Sequence, residues 1–147
     1  MREKIFVSAC LLGVNCKYNG FNNENEKVLS YIKDKEVIPI CPEIMGGLST
    51  PREPSEIFEN KVISKSGKDV TSNFQKGAEE TLNLARKLGV KKAILKSRSP
   101  SCGLDEVYDG TFSNKLVNKN GITAELLKNN GFVILREEDV DHLISRK

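Results

Sequence analysis

Three of the four cysteines sit where thiols can meet. Cys10 follows the apolar run Ile5-Phe6-Val7, and Cys41 follows Val37-Ile38-Pro39-Ile40. Cys102 follows Ala93-Ile94-Leu95 after a short turn rich in Ser and Pro. Short apolar runs bounded by turn residues read as buried strands. If these strands lie parallel and side by side, the thiols converge at the carboxyl edge of one sheet, where open α/β sheets bind ligands. Thiolates drawn from three distant segments can hold a soft metal centre or act as nucleophiles.

The residues around each thiol sharpen that reading. Ser8-Ala9-Cys10-Leu11-Leu12-Gly13 puts a cysteine at a strand end beside a glycine, which alone reads equally well as a buried structural cysteine. In Cys41-Pro42-Glu43-Ile44-Met45-Gly46-Gly47 the proline stiffens the loop. Glu43 is close enough to share a pocket with the thiol, and Gly46 and Gly47 would let backbone approach a ligand. Ser97-Arg98-Ser99-Pro100-Ser101-Cys102-Gly103 is the densest segment, with hydroxyls, a guanidinium and a thiol directly after a strand. Its hydroxyls and backbone N–H groups can hydrogen-bond cluster sulfurs or an anion, and Arg98 can pair with a negative group or with Glu43. Cys16 stands apart in a polar loop, as a fourth ligand, a persulfide carrier or, preferentially, a supporting thiol. Arg52 and Glu53, in a Pro-rich stretch, can reach the site or form a surface ion pair.

Structural zinc usually takes four ligands, often from close cysteine pairs, and the chain has no C-x-x-C pair. Three separated thiolates suit an iron–sulfur cluster with one iron free of protein ligands, an open Lewis acid. A three-cysteine zinc site stays open as the alternative, as does a metal-free thiol enzyme with Cys102 or Cys10 as nucleophile. The single histidine, His142, lies on a charged C-terminal segment and reads as solvated, which argues against a thiol–imidazole pair. A non-catalytic iron–sulfur or zinc protein, serving as a redox sensor or interaction module, is the rival to an enzyme.

The elements that must position these groups alternate. Strands are expected over residues 4–9, 36–40, 61–64, 91–96 and 132–135, with helices over 23–35, 71–88 (capped by Thr71, ending at Gly89), 123–130 (capped by Thr123) and 137–146. Residues 41–56 read as one long loop, a length that usually signals function. This order predicts a single-domain, Rossmann-like three-layer α/β sandwich with a mostly parallel sheet spanning residues 1–147. With 38% hydrophobic and 29% charged residues, a dispersed net charge of +3 and no Trp, the composition argues against a nucleic-acid partner. Val7-Ser8-Ala9-Cys10 resembles a lipoprotein cleavage site, but the apolar stretch before it is too short for a secretory core, and no run reaches membrane-spanning length. A cytoplasmic protein, monomeric or weakly dimeric and with no membrane partner, is expected.

Taken together, Ser8-x-Cys10-Leu11-x-Gly13, Cys41-Pro42-Glu43-x-x-Gly46-Gly47-Leu48 with Pro51-Arg52, Asp69-Val70-Thr71, Ser99-Pro100-Ser101-Cys102-Gly103 and Tyr108-Asp109-Gly110-Thr111-Phe112 resemble the thiouracil desulfidase family of bacterial proteins. The resemblance covers almost the whole chain. It implies a [4Fe-4S] cluster on Cys10, Cys41 and Cys102, with one iron left for the sulfur of a thiolated nucleobase or nucleoside. It further implies Glu43 as the acid/base group and Ser101 as a residue placing substrate or water. Ser8, Cys16, Gly46, Gly47, Arg52, Arg98 and Ser99 are then candidates for supporting roles around substrate or ligands. The implied reaction is hydrolysis of C=S to C=O with release of hydrosulfide and no net redox change. The family's run Cys-Arg-Tyr-Asp-Gly reads Cys16-Lys17-Tyr18-Asn19-Gly20 here, so this loop lacks the Arg and Asp of that pattern.

Overall fold

In the computed structural model, residues 2–145 are described. Four parallel strands form the central sheet: β1 (Lys4–Ser8), β2 (Glu36–Ile40), β5 (Lys92–Leu95) and β8 (Val133–Arg136), in the order β2-β1-β5-β8. The alternation of side chains along β1 decides the layers. Ile5 and Val7 pack with Val28 of α1 (Glu26–Tyr31) and Val140 of α5 (Glu137–Ser145) on one face. Phe6 points the other way, with Leu82 and Ala85 of α3 (Thr71–Leu88) and Ala124 and Leu127 of α4 (Ile122–Asn129). Helices thus cover both faces, the arrangement a buried parallel sheet requires. This is the three-layer α/β fold the alternation predicts.

Two small antiparallel hairpins flank the site. One pairs β3 (Ser55–Phe58) with β4 (Lys61–Ser64); the other pairs β6 (Val107–Tyr108) with β7 (Leu116–Val117). The expected 41–56 loop is corrected at both ends. Residues Pro42–Met45 form a one-turn helix, α2, with Cys41 at its N-cap and Pro42 at the first helical position, where a missing N–H costs nothing. Ser55 already belongs to β3.

The cap assignments also change. Val70, not Thr71, is the N-cap of α3; Asp69 Oδ1 accepts the Thr71 N–H at 2.9 Å, while the Thr71 hydroxyl accepts the Val62 N–H and ties β4 to the helix. Gly121 caps α4 in place of Thr123, whose hydroxyl is buried with no partner among the described residues. The first helix is shorter than its apolar spacing suggests and is capped by the Asn25 side chain. His142 is exposed, as expected.

Candidate active site

The sheet carries the three cysteines to its carboxyl edge, each by a different local device. After Ser8 the chain enters a 3-10 turn, Ala9–Leu12, closed by Gly13 at φ 92°, a left-handed conformation that favours glycine. Cys10 lies inside that turn. Cys41 caps α2 directly after β2. Cys102 lies in a turn held from both sides: its N–H donates to Ser99 Oγ at 2.7 Å, and the first N–H groups of α4 donate to the carbonyls of Pro100 and Ser101. Gly121 is needed there, because a Cβ would fall 2.7 Å from the Ser101 carbonyl.

These segments line one cleft of about 620 Å³ together with Ser8, Glu43, Ser101 and Arg52. Cys10, Cys16 and Cys102 are buried and Cys41 is half-buried; all four are free thiols. Cys16, which the sequence sets apart, is brought among the others. A hydrogen bond from Cys16 is the main reason the Cys10 thiol falls below its ordinary range, with burial opposing and Asn23 and Lys96 adding to the effect. Cys41 is likewise pulled down chiefly by Cys16, helped by the Ile44 N–H at the start of α2. Cys16 is pushed up as the shared donor. Cys102, deeply buried, is pushed up to about 12 by desolvation, against a hydrogen bond from Ser8.

Several donors point at sulfur. Ser8 Oγ lies 3.4 Å from Cys102 Sγ and accepts the Lys96 N–H at 3.0 Å, and Asn23 Nδ2 lies 3.5 Å from Cys10 Sγ. Among the described residues no three His, Cys, Asp or Glu side chains converge on a single-ion position. The donor set is therefore thiols spread around a cleft, each met by hydrogen-bond donors. That suits a polynuclear cluster whose sulfurs take such bonds better than a four-coordinate zinc ion.

In the same cleft, beside Cys41 and Cys102, stands a carboxylate held at both oxygens. Glu43 Oε2 accepts from Ser101 Oγ at 2.9 Å, and Oε1 accepts from Arg52 Nε at 3.1 Å. Arg52 is fixed in turn: its guanidinium donates to the carbonyls of Ser49 (3.1 Å) and Cys16 (2.9 Å) and to Thr50 Oγ1 (3.1 Å). Ser99 Oγ lies 3.3 Å from Ser101 Oγ and already accepts the Cys102 N–H. A hydroxyl has one proton to give. With Ser101 giving its own to the carboxylate, Ser99 is oriented to donate to Ser101, which makes a directed chain Ser99–Ser101–Glu43.

Arg98 takes a different place from the one the sequence suggests. It is exposed at the rim of the cleft, at φ 69°, and the partner of Glu43 is Arg52. Glu53 turns away to accept from Ser66 Oγ at 2.7 Å. Gly46 and Gly47 do not line the cleft. Gly46 is pressed against α3, where a Cβ would meet the Asn73 carbonyl oxygen at 2.0 Å; Gly47 follows at φ 94°. Their role is helix packing and chain reversal, which the cysteine-adjacent motif does not distinguish from ligand approach.

Three contributors escape the sequence reading. Asn23 faces Cys10. Lys96 lines the cleft and pairs with Glu137 at 2.9 Å; its neighbour Ser97 also hydrogen-bonds Glu138. Glu56 lines the cleft from β3. Only Lys96, directly after the β5 run, carried a positional signal.

Residues 5–139 match the model of the 2-thiouracil desulfurase family. The uncharacterised protein YbbK of Bacillus subtilis (strain 168) is 39% identical over 150 residues, covering 95% of this chain and 99% of that one. The fold is similar to a solved structure of the [4Fe-4S]-dependent thiouracil desulfidase TudS, with TM-score 0.90 and 37% identity over 99% of this chain and 97% of that one. Among the described residues no helix is long and apolar enough to cross a membrane. With a family match over nearly the whole described chain and a fold shared at that level, the chain belongs to the 2-thiouracil desulfurase family, a family of enzymes.

Proposed function

We propose that this protein hydrolyses the thiocarbonyl of small thiolated nucleobases such as thiouracil to a carbonyl, releasing hydrosulfide without net electron transfer. The observation that carries the reading is the Ser101–Glu43–Arg52 chain lining one cleft together with three thiols. Cys10, Cys41 and Cys102 are the residues that would hold a [4Fe-4S] cluster, the cofactor of the similar TudS protein. When bound by three thiolates, such a cluster supplies a thiophilic Lewis acid for the thiocarbonyl sulfur.

The remaining work falls to the protein's own side chains. Arg52 fixes Glu43 so that one carboxylate oxygen is committed to the guanidinium and the other faces the cleft through Ser101. Glu43 Oε2 accepts the proton of a water that attacks the thiocarbonyl carbon. The Ser101 hydroxyl, donating to the carboxylate, holds that water or the substrate in line, and Ser99 keeps Ser101 in this rotamer. The proton held on Glu43 is then available to the departing sulfur. Ser8 and Asn23 keep their donors on the ligating sulfurs.

A non-catalytic sensor needs neither a cleft of about 620 Å³ nor a carboxylate–serine chain directed into it. No comparison supports zinc. The test is anaerobic reconstitution with iron and sulfide, followed by addition of 2- or 4-thiouracil. Loss of the thiocarbonyl absorbance with stoichiometric hydrosulfide release is expected. A stable cluster with no turnover on either compound would overturn the substrate assignment.

A further inference from the structure

The run Tyr108-Asp109-Gly110-Thr111-Phe112 is not used by the chemistry above, yet the fold brings it to the same cleft. Tyr108, Phe112 and Asn114, from the β6–β7 hairpin, line the cavity beside Glu56. The hairpin tip is held there by one carboxylate oxygen: Glu56 Oε1 accepts the N–H of Gly110 and of Phe112, each at 3.0 Å. Two main-chain N–H groups turned onto one anion form a concave nest, which fixes the backbone that bears the aromatic ring.

Other observations agree. Phe112 and Asn114 sit at φ 55° and 62°, a left-handed conformation uncommon for residues with side chains, which persists where surroundings dictate it. Gly110, at φ 95°, lies so close to β3 that a Cβ would be 2.7 Å from Phe58 Cβ and 2.8 Å from the Ile57 carbonyl. The hairpin is therefore fitted to β3 at its tip. An exposed loop with no task has no need of a cleft-lining carboxylate to hold an aromatic residue in that conformation.

We infer that the β6–β7 hairpin is the specificity wall of the cleft: Phe112 and Tyr108 select a planar heteroaromatic ring, and Glu56 is the positioning residue that holds them in place. This rests on the desulfidase reading for its substrate class. Stacking on a flat ring is tolerant of base identity but not of pucker, so the wall discriminates planar thiolated pyrimidines from saturated analogues.

The test uses equilibrium binding, which needs no turnover. Uracil and 5,6-dihydrouracil carry the same hydrogen-bonding groups, but only uracil is flat. The reconstituted parent is expected to bind uracil about tenfold more tightly than dihydrouracil, from the worth of one base–aromatic stack. Phe112→Leu and Tyr108→Leu should shrink that preference, and should raise KM for thiouracil while leaving kcat within about twofold, as loss of uniform binding does. Glu56→Ala should do the same, with partial rescue by Glu56→Gln, whose amide oxygen still accepts from the nest. A parent without preference for the flat ring, or a preference unchanged in both aromatic variants, overturns the wall. Failure of the parent to turn over thiouracil while still preferring uracil overturns the desulfidase reading and leaves the wall standing.

Discussion

At the scale of single residues, the four thiols are not equivalent. Cys10, Cys41 and Cys102 each follow a strand of the parallel sheet, whereas Cys16 reaches the cleft from a loop, and its carbonyl accepts from Cys41 Sγ at 3.9 Å. Substituting Cys10→Ser, Cys41→Ser or Cys102→Ser is expected to abolish cluster retention after anaerobic reconstitution, measured as iron and acid-labile sulfide per chain. Cys16→Ser leaves the three ligating thiols and the Cys16 carbonyl contacts in place and should retain most of the cluster. Loss from Cys16→Ser equal to the other three would contradict the ligand set. That the three post-strand cysteines and Glu43 share a cleft was legible from the runs around them, whereas Ser101 is singled out only by the family resemblance. The partner of Glu43 was not: the sequence points to Arg98, whereas the path of the chain from α2 to β3 brings Arg52 to the carboxylate.

At the scale of elements, the site depends on how tightly α2 meets α3. Gly77, in the interior of α3, faces Pro42, and Gly46 faces Asn73; a Cβ on Gly77 would lie 1.9 Å from the Pro42 carbonyl oxygen. In an isolated helix, Gly→Ala is stabilising by about 1 kcal/mol. Here the sign reverses, because backbone must move to admit the methyl group. Gly77→Ala is expected to destabilise by about 1–3 kcal/mol, the usual range for overpacking, read as a lowered Tm. It should also lower turnover, since Pro42 and Glu43 share one helical turn. An unchanged or raised Tm would show that the two helices have room the structure does not contain. The one-turn helix leaves little trace in the sequence because Pro42 signals a loop, although proline at a first helical position after a strand is equally a helix start. The caps of α3 and α4 differ from the expected Thr71 and Thr123 for a related reason. Thr71 and Thr123 have the right chemistry for caps, but each is one or two positions inside the helix, where tertiary contacts claim the side chain or bury it.

At the scale of the whole molecule, the order of strands and helices was enough to predict a parallel sheet with its thiols at one edge, since apolar runs alternating with amphipathic stretches admit few other topologies. The flanking hairpins were less legible. β6 and β7 are two residues each, too short for periodicity, and their attachment to β3 runs through a long-range contact between Glu56 and main-chain N–H groups. Polar contacts across such separations leave no local pattern in a sequence. One cleft thus serves two tasks, with thiols for a cluster and a fixed carboxylate beside them. The most direct test compares the parent and Glu43→Gln proteins at matched cluster content, measuring the rate of hydrosulfide release from thiouracil. An unchanged cluster spectrum and a rate at least about a hundredfold lower, the scale of a lost general base, are expected. A Glu43→Gln protein with full cluster and parental turnover would contradict the role of Glu43 as the base.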